Sequence, residues 1–543
     1  MIGAVADDGA AANAGAVYVF QRSANIWQQT QKITAADASA GDGFGVSVAI
    51  SGDTIVLGAY LADGAVTDAG AAYVFTRSGE NFTQQQKIMA YDTAIANDQF
   101  GYRVTIDGDT LAIGSVLNDH SATAFNTGVD AGSVYIYTQT GSTWNFQAKL
   151  KASDSAGGDQ FGASVAIQGD EVLIGAPDDD TYEGANSGSV YIFSRFGSAW
   201  TEQQKLIASN AAAGDQFGFS LAMDADTAVV GANTDDVDSS ITFVGGDDVG
   251  SAYIFTRTSG VWSEQTQLTA SGAASGQFGY SVAISGDAVI VGAPFNDFAG
   301  ANQIGGVYVF LRQDELWSEL PRLLASNGVG GDQFGYAVAA SGLTALAGAN
   351  LADVGSESDA GYVYYFDFDL DDDGLFNGVE TAQTGTDIYN SDTDQDGLFD
   401  GFEVAQGFDP LQFGDANLDP DGDGLDNLQE QTLGTSAIKV DTDGDGINDD
   451  VEFALMTDPL DANDSPLVQK KTAQGAADFF GSRVAIEGDI AVISAPNNDV
   501  AAANAGAVYV YQRTGVVWAL HQTLFASDAA ASEIGRASCR ERV

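Results

Sequence analysis

The sequence predicts an all-β fold, a seven-bladed β-propeller of four-stranded blades, joined to a separate acidic module. Two observations carry this. The string Phe-Gly-x-x-Val, then Gly-Ala, then Gly-x-Val-Tyr-x-Phe recurs along almost all of the 543 residues. Its Phe-Gly phenylalanines fall at Phe44, Phe100, Phe161, Phe217, Phe278 and Phe334, with gaps alternating between 56 and 61 residues, and Phe480 follows a long interruption. The Gly-Ala step lies fourteen residues further on, at Gly58, Gly175, Gly231, Gly292 and Gly348. A fixed period of this length marks a repeated supersecondary unit. The second observation is charge. Of a net −56, the stretch from Asp367 to Ser465 carries −27, with 24 Asp and 4 Glu against one Lys.

Each repeat reads as four short strands. In one copy, Val165-Ala166-Ile167 and Val172-Leu173-Ile174 flank a Gly169-Asp170 turn, Val190-Tyr191-Ile192-Phe193 follows, and a Trp-led strand ending in Lys-Leu closes the unit. A lone four-stranded sheet cannot bury both faces, so copies must stack, and four strands per unit points to propeller blades. The chain opens at Ile2-Gly3-Ala4, already a second strand, with Val17-Tyr18-Val19-Phe20 as the third. That partial copy and the six Phe-Gly units make seven blades. The seventh stops after its third strand, Tyr362-Val363-Tyr364-Tyr365-Phe366, so residues 1–366 read as a ring lacking its first strands, with an exposed edge at the last blade. All six tryptophans, Trp27, Trp144, Trp200, Trp262, Trp317 and Trp518, start fourth strands, where Phe82 substitutes once. Packing between blades is the reading for them.

Phe161-Gly162 with Gly175-Ala176-Pro177, and Phe278-Gly279 with Gly292-Ala293-Pro294, resemble the FG-GAP repeat of integrin alpha-type propellers and their bacterial relatives. The resemblance implies an extracellular or cell-surface propeller that binds a protein or glycan. Integrin-type blades often carry an Asp-x-Asp-x-Asp-Gly loop; blade loops here, such as Asp178-Asp179-Asp180-Thr181, lack that spacing.

The acidic module does have it. Asp369, Asp371, Asp373, Gly374, Asn377 and Glu380 stand at positions 1, 3, 5, 6, 9 and 12 of an EF-hand-type loop, where alternate oxygens wrap a hard cation and glycine makes the bend. The template recurs as Asp392, Asp394, Asp396, Gly397, Asp400 and Glu403, as Asp419, Asp421, Asp423, Gly424, Asn427 and Glu430, and as Asp441, Asp443, Asp445, Gly446, Asp449 and Glu452. Leu375, Leu398, Leu425 and Ile447 follow the glycines and supply a carbonyl ligand at position 7. Calcium is the cofactor this pattern predicts. Repeats 22 to 27 residues apart are too short for paired EF-hands with full helices. With the turns Thr457-Asp458-Pro459 and Phe408-Asp409-Pro410, the module resembles thrombospondin type 3 repeats, in which the ion largely replaces a core.

Residues 367–465 are therefore read as a calcium-binding module and 466–532 as a further blade. That blade either begins a second ring or follows an insertion whose Leu467–Lys471 strand completes the seventh blade. Residues 533–543 break the repeat where Gly-Asp-x-Phe-Gly is due and resemble a translated sequencing adapter, which sets aside Cys539, the one cysteine. The acidic balance argues against nucleic acid and anionic membrane as partners. No apolar run is long enough for membrane insertion, and a signal peptide is expected to have been lost upstream. His120 and His521 stand in no recognisable catalytic setting, so no catalytic residue is singled out and the chain reads as non-catalytic. It is expected to be a calcium-dependent binding or adhesion protein. The alternative is the propeller and spacer part of a larger secreted hydrolase or lyase. Recognition is placed in the variable loops between second and third strands, longest at Val116 to Gly132 and Asn233 to Gly250, with Phe125 and Phe243 as candidate ligand contacts.

Overall fold

The computed structural model describes residues 1–462 apart from 24–25, 65, 80, 93–94, 120–128, 237–248, 272–275, 298–301, 314–315, 356 and 370. Beyond these it describes 484–487, 490–495, 507–514 and 517–524. The chain divides into two compact units, Met1–Phe368 and Asp369–Val543.

The first unit holds seven antiparallel sheets in chain order among the described residues. The first has three strands, Ile2–Ala4, Ala16–Ser23 and Ile26–Ile33, and the last has Phe334–Ser341, Thr344–Ala349 and Tyr362–Asp367. The five between have four strands each, as in Ser164–Gln168, Glu171–Ala176, Ser189–Phe196 and Ala199–Leu206. Gly169 opens the two-residue turn between the first pair at φ 56°; a hairpin turn matching strand twist needs positive φ there. The second strands, such as Glu171–Ala176 and Thr227–Ala232, are buried along their whole length. That explains their continuous apolar runs, since both faces meet neighbouring sheets.

The repeated motif makes the contacts between sheets. The amide of each motif phenylalanine donates to a carbonyl of the preceding sheet's hairpin loop: Phe44 to Ala14, Phe100 to Ala69, Phe161 to Ala131, Phe217 to Ser187, Phe278 to Val249 and Phe334 to Ile304, at 2.9 to 3.0 Å. Their rings are fully buried and meet the tyrosine of their own third strand edge-on, as Phe44 does Tyr73 at 5.4 Å and Phe100 does Tyr135 at 5.3 Å. The motif glycines stand face to face across the gap. A methyl on Gly58, Gly175, Gly231 or Gly292 would overlap the carbonyl oxygen of Gly101, Gly218, Gly279 or Gly335 in the next sheet. Only glycine allows that approach.

Arginines and tryptophans complete the outer edge. Arg195, Arg257 and Arg312 lie 5.3 to 5.4 Å from the ring centres of Trp200, Trp262 and Trp317 and pair with Asp170, Asp226 and Asp287 of the hairpin turns. In the first sheet, which has no such hairpin, Arg22 pairs instead with Asp367 of the seventh sheet at 2.9 Å, and Trp27 meets Tyr365 edge-on at 5.8 Å. First and last sheets therefore touch, although Tyr362–Asp367 has no fourth strand beside it among the described residues. Tyr102, Phe219, Tyr280 and Tyr336 each follow a Phe-Gly pair and converge with Tyr60 and Phe295. Tyr60 meets Tyr102 at 5.8 Å, and Tyr280 meets Phe219 and Tyr336 at 5.1 Å and Phe295 at 5.8 Å. Tyr102 also acts electrostatically on Tyr280, and Tyr336 on Tyr60, so the two groups lie near each other, as expected where sheets surround a common axis in a β-propeller.

In the second unit, the strands Val484–Glu487, Ile490–Ala495, Ala507–Thr514 and Val517–Leu524 form an eighth sheet, again of four strands. No helix among the described residues is long and apolar enough to cross a membrane.

Candidate metal centre

The acidic module, at the start of the second unit, folds as four loops, each leading into one short helical turn. In the first loop Asp369 accepts the amides of Asp373 and Gly374, and Asp373 accepts that of Leu375 at 2.7 Å. The second repeats this pattern with Asp392 accepting from Asp396 and Gly397, and Asp396 from Leu398. Asp419 and Asp423 do the same for Gly424 and Leu425, and Asp441 and Asp445 for Gly446 and Ile447. Gly374, Gly397, Gly424 and Gly446 take φ of 91°, 110°, 110° and 94°, the sharp bend for which the position needs glycine. Each loop thereby draws three carboxylates together. One oxygen from each of Asp369, Asp371 and Asp373 lies within 4.8 Å of the others, and the same holds for Asp392, Asp394 and Asp396, for Asp419, Asp421 and Asp423, and for Asp441, Asp443 and Asp445.

The helical turns bring in the glutamates. Glu403, Glu430 and Glu452 ride on helices Asp400–Gln406, Asn427–Leu433 and Asp449–Leu455, while Glu380 begins a π turn, Glu380–Thr384. The hydrophobic residues at position 7, Leu375, Leu398, Leu425 and Ile447, turn inward and are buried. All four glutamates are fully buried. Both carboxylate oxygens of Glu403 and Glu430, and one of Glu380 and of Glu452, have no hydrogen-bond partner; the same is true of both oxygens of Asp371 and one each of Asp394, Asp421 and Asp443. Burial, reinforced by the neighbouring aspartates, pushes Glu380 up to about 7, Glu430 to about 8 and Glu403 to about 9. Two carboxylates about 4 Å apart repel by roughly 4 kcal/mol at an effective dielectric of 20. A divalent cation bound by hard oxygens relieves both that repulsion and the burial, and the donor set, carboxylates and carbonyls without nitrogen or sulfur, fits calcium.

Position 9 behaves differently from the linear template. Asp400 accepts the amide and hydroxyl of Thr393 in its own loop at 2.9 and 2.6 Å, yet its carboxylate lies within 4.8 Å of Asp373 and Glu380 of the preceding loop. Asp449 accepts the corresponding amide and hydroxyl of Thr442. Asn427 donates to the Asp415 carbonyl at 2.9 Å, and Asn377 is half-buried. Asp415 falls in no loop template and is missed by spacing alone, although it is buried beside Asp396 and Glu403. Phe125, Phe243 and His120 lie outside the described residues; His521 sits in the strand Val517–Leu524.

Comparison with known proteins agrees with both halves of the architecture. The family model described as FG-GAP repeat matches residues 27–75, 82–137, 144–193, 200–255, 262–310, 317–366 and 471–511. In the first unit each match runs from the last strand of one sheet to the third of the next. The bacterial TSP3 repeat model matches residues 392–412 and 441–462, which begin at the second and fourth acidic loops. Integrin alpha-11 of Homo sapiens is similar, 36% identical over 135 residues that make up 22% of this chain and 11% of that protein.

Proposed function

Because the chain belongs to the FG-GAP repeat family, we propose that it is a calcium-binding extracellular or cell-surface binding protein whose propeller has seven blades. Binding rather than catalysis is the work assigned to it. The observation that carries the reading is the set of four acidic loops, each closing on a fully buried glutamate with unpartnered oxygen. Buried unpaired carboxylate is costly, and four copies of the same arrangement are what a row of calcium ions would stabilise. The seven-blade reading is supported by seven successive sheets and by the contact of Arg22 and Trp27 with the last of them.

In this reading calcium stiffens the acidic module and the propeller presents the ligand on its rim, through the long loops Val116 to Gly132 and Asn233 to Gly250. The similarity to integrin alpha-11 supports a surface role. A glycan array probed with the full chain in millimolar calcium tests it, with chelator as the control. Retention on defined glycans that disappears when both loops are cut back is the expected result. Retention that survives their removal would refute the rim assignment.

A further inference from the structure

Among the described residues, Asp415 is the buried acidic residue of the module that falls outside the loop templates. It lies between the second helix and the third loop, and is 5% exposed. Its carboxyl abuts that of Asp396, and it is the charged group acting most strongly on Glu403. Its Oδ1 is buried with no partner, as are both oxygens of Glu403 and the Oδ1 of Asn427, whose amide donates to the Asp415 carbonyl. Asp396 in turn accepts the amides of Gly414 and Ala416 at 3.0 and 3.1 Å, pinning the Asp415 segment against the second loop. The first loop has the same device in another form. Asp373 accepts the amide of Gly401, and Asp400 brings its carboxylate within 4.8 Å of Asp373 and Glu380.

We propose that the ion in each of the first two loops is completed by an aspartate from the segment that follows, Asp400 for the first loop and Asp415 for the second. Calcium then clasps successive repeats together instead of filling isolated loops. Two features favour this assignment. Glu403, with both oxygens buried and unpartnered, feels the charges of Asp415, Asp394, Asp396 and Asp400. The backbone on either side of Asp415 is held to Asp396, the third aspartate of the second loop, by two amides, which keeps the Asp415 carboxyl beside that aspartate. The inference rests on the reading of the module as calcium-binding.

Calorimetric titration of the full chain with calcium chloride tests it on the wild type, on Asp415→Asn, Glu403→Gln and Glu452→Gln, and on Asp415→Asn combined with each of the other two. Asp409→Asn, the same charge change at an exposed site, is the control. Asp415→Asn should weaken one binding event on the order of tenfold or more, and the control should not. Combined with Glu403→Gln it should add little, because both residues serve one ion; combined with Glu452→Gln, in the fourth loop, the effects should add. A wild-type chain that binds no calcium removes the underlying reading as well. Wild-type binding that Asp415→Asn leaves unchanged overturns the clasp alone. So does an Asp415→Asn chain that loses its helices in saturating calcium while Glu403→Gln keeps them, since that marks Asp415 as a folding residue.

Discussion

Asp159 stands at the bend before Phe161, almost fully buried, with its carboxylate accepting the Ala156 amide. Burial, helped by Asp179 and Asp154, raises it to about 6. The folded state therefore holds this proton more tightly than the unfolded chain, whose aspartates titrate near 3.9. Below about pH 4 the group is protonated in both states and contributes nothing. As pH rises from about 4 to about 6 it costs stability, by roughly 3 kcal/mol once fully ionised. Asp159→Asn should lack this loss, so its stability relative to wild type should improve between pH 4 and pH 8 in chemical denaturation; a constant difference across that range would contradict the assignment. Its position recurs in the Gly-Asp-x-Phe-Gly string, but nothing in that string announces its burial. The alternate aspartates of the loops are local in the chain and readable by spacing. Asp159 and Asp415 owe their environments to burial by residues that fold over them, and spacing carries no record of that.

Glycines at the sheet contacts act at the scale of the element. Gly231 faces the Gly279 carbonyl so closely that any Cβ would displace the next sheet, whereas a Cβ at Gly348 would find its nearest neighbour, the Ala337 carbonyl oxygen, at 3.8 Å. Gly231→Ala should therefore destabilise by several kcal/mol, as overpacking at a close backbone approach does. Gly348→Ala, in a strand where glycine is entropically unfavourable, should be neutral or better. Thermal unfolding of the two variants decides, and equal losses would argue against the face-to-face packing. The module's helices offer a second test. The helical turns of the first three loops end in Gly385, Gly407 and Gly434 in the left-handed conformation, but the last ends in Met456 at φ 58°. Met456 is almost wholly exposed, so Met456→Gly should relieve strain and stabilise the module by about 1 kcal/mol, measurable as a shift of its unfolding midpoint; no shift would contradict the strain.

For the whole molecule, the strands and hairpins were legible because each is a local pattern. Gly169-Asp170, the motif phenylalanines and the Trp-led strands recur at fixed offsets, and hairpin neighbours in sequence are neighbours in space. A ring of blades puts first and last sheets side by side, but the residues that join them were not legible, since Arg22 and Asp367 are 345 residues apart and no spacing rule links them. The aromatic cluster of Tyr60, Tyr102, Phe219, Tyr280, Phe295 and Tyr336 was missed for the same reason. The acidic module combines both situations, with a local loop pattern and a negative charge that a bound cation would neutralise. Its dependence on calcium is measured by isothermal titration of the full chain with calcium, followed by size-exclusion chromatography of the loaded and chelated forms. The account predicts about four ions bound, in the range of roughly 0.1 to 1 mM that extracellular modules show, a smaller hydrodynamic radius when loaded, and one event weakened selectively by Glu452→Gln. No heat and an unchanged radius on adding calcium would contradict it.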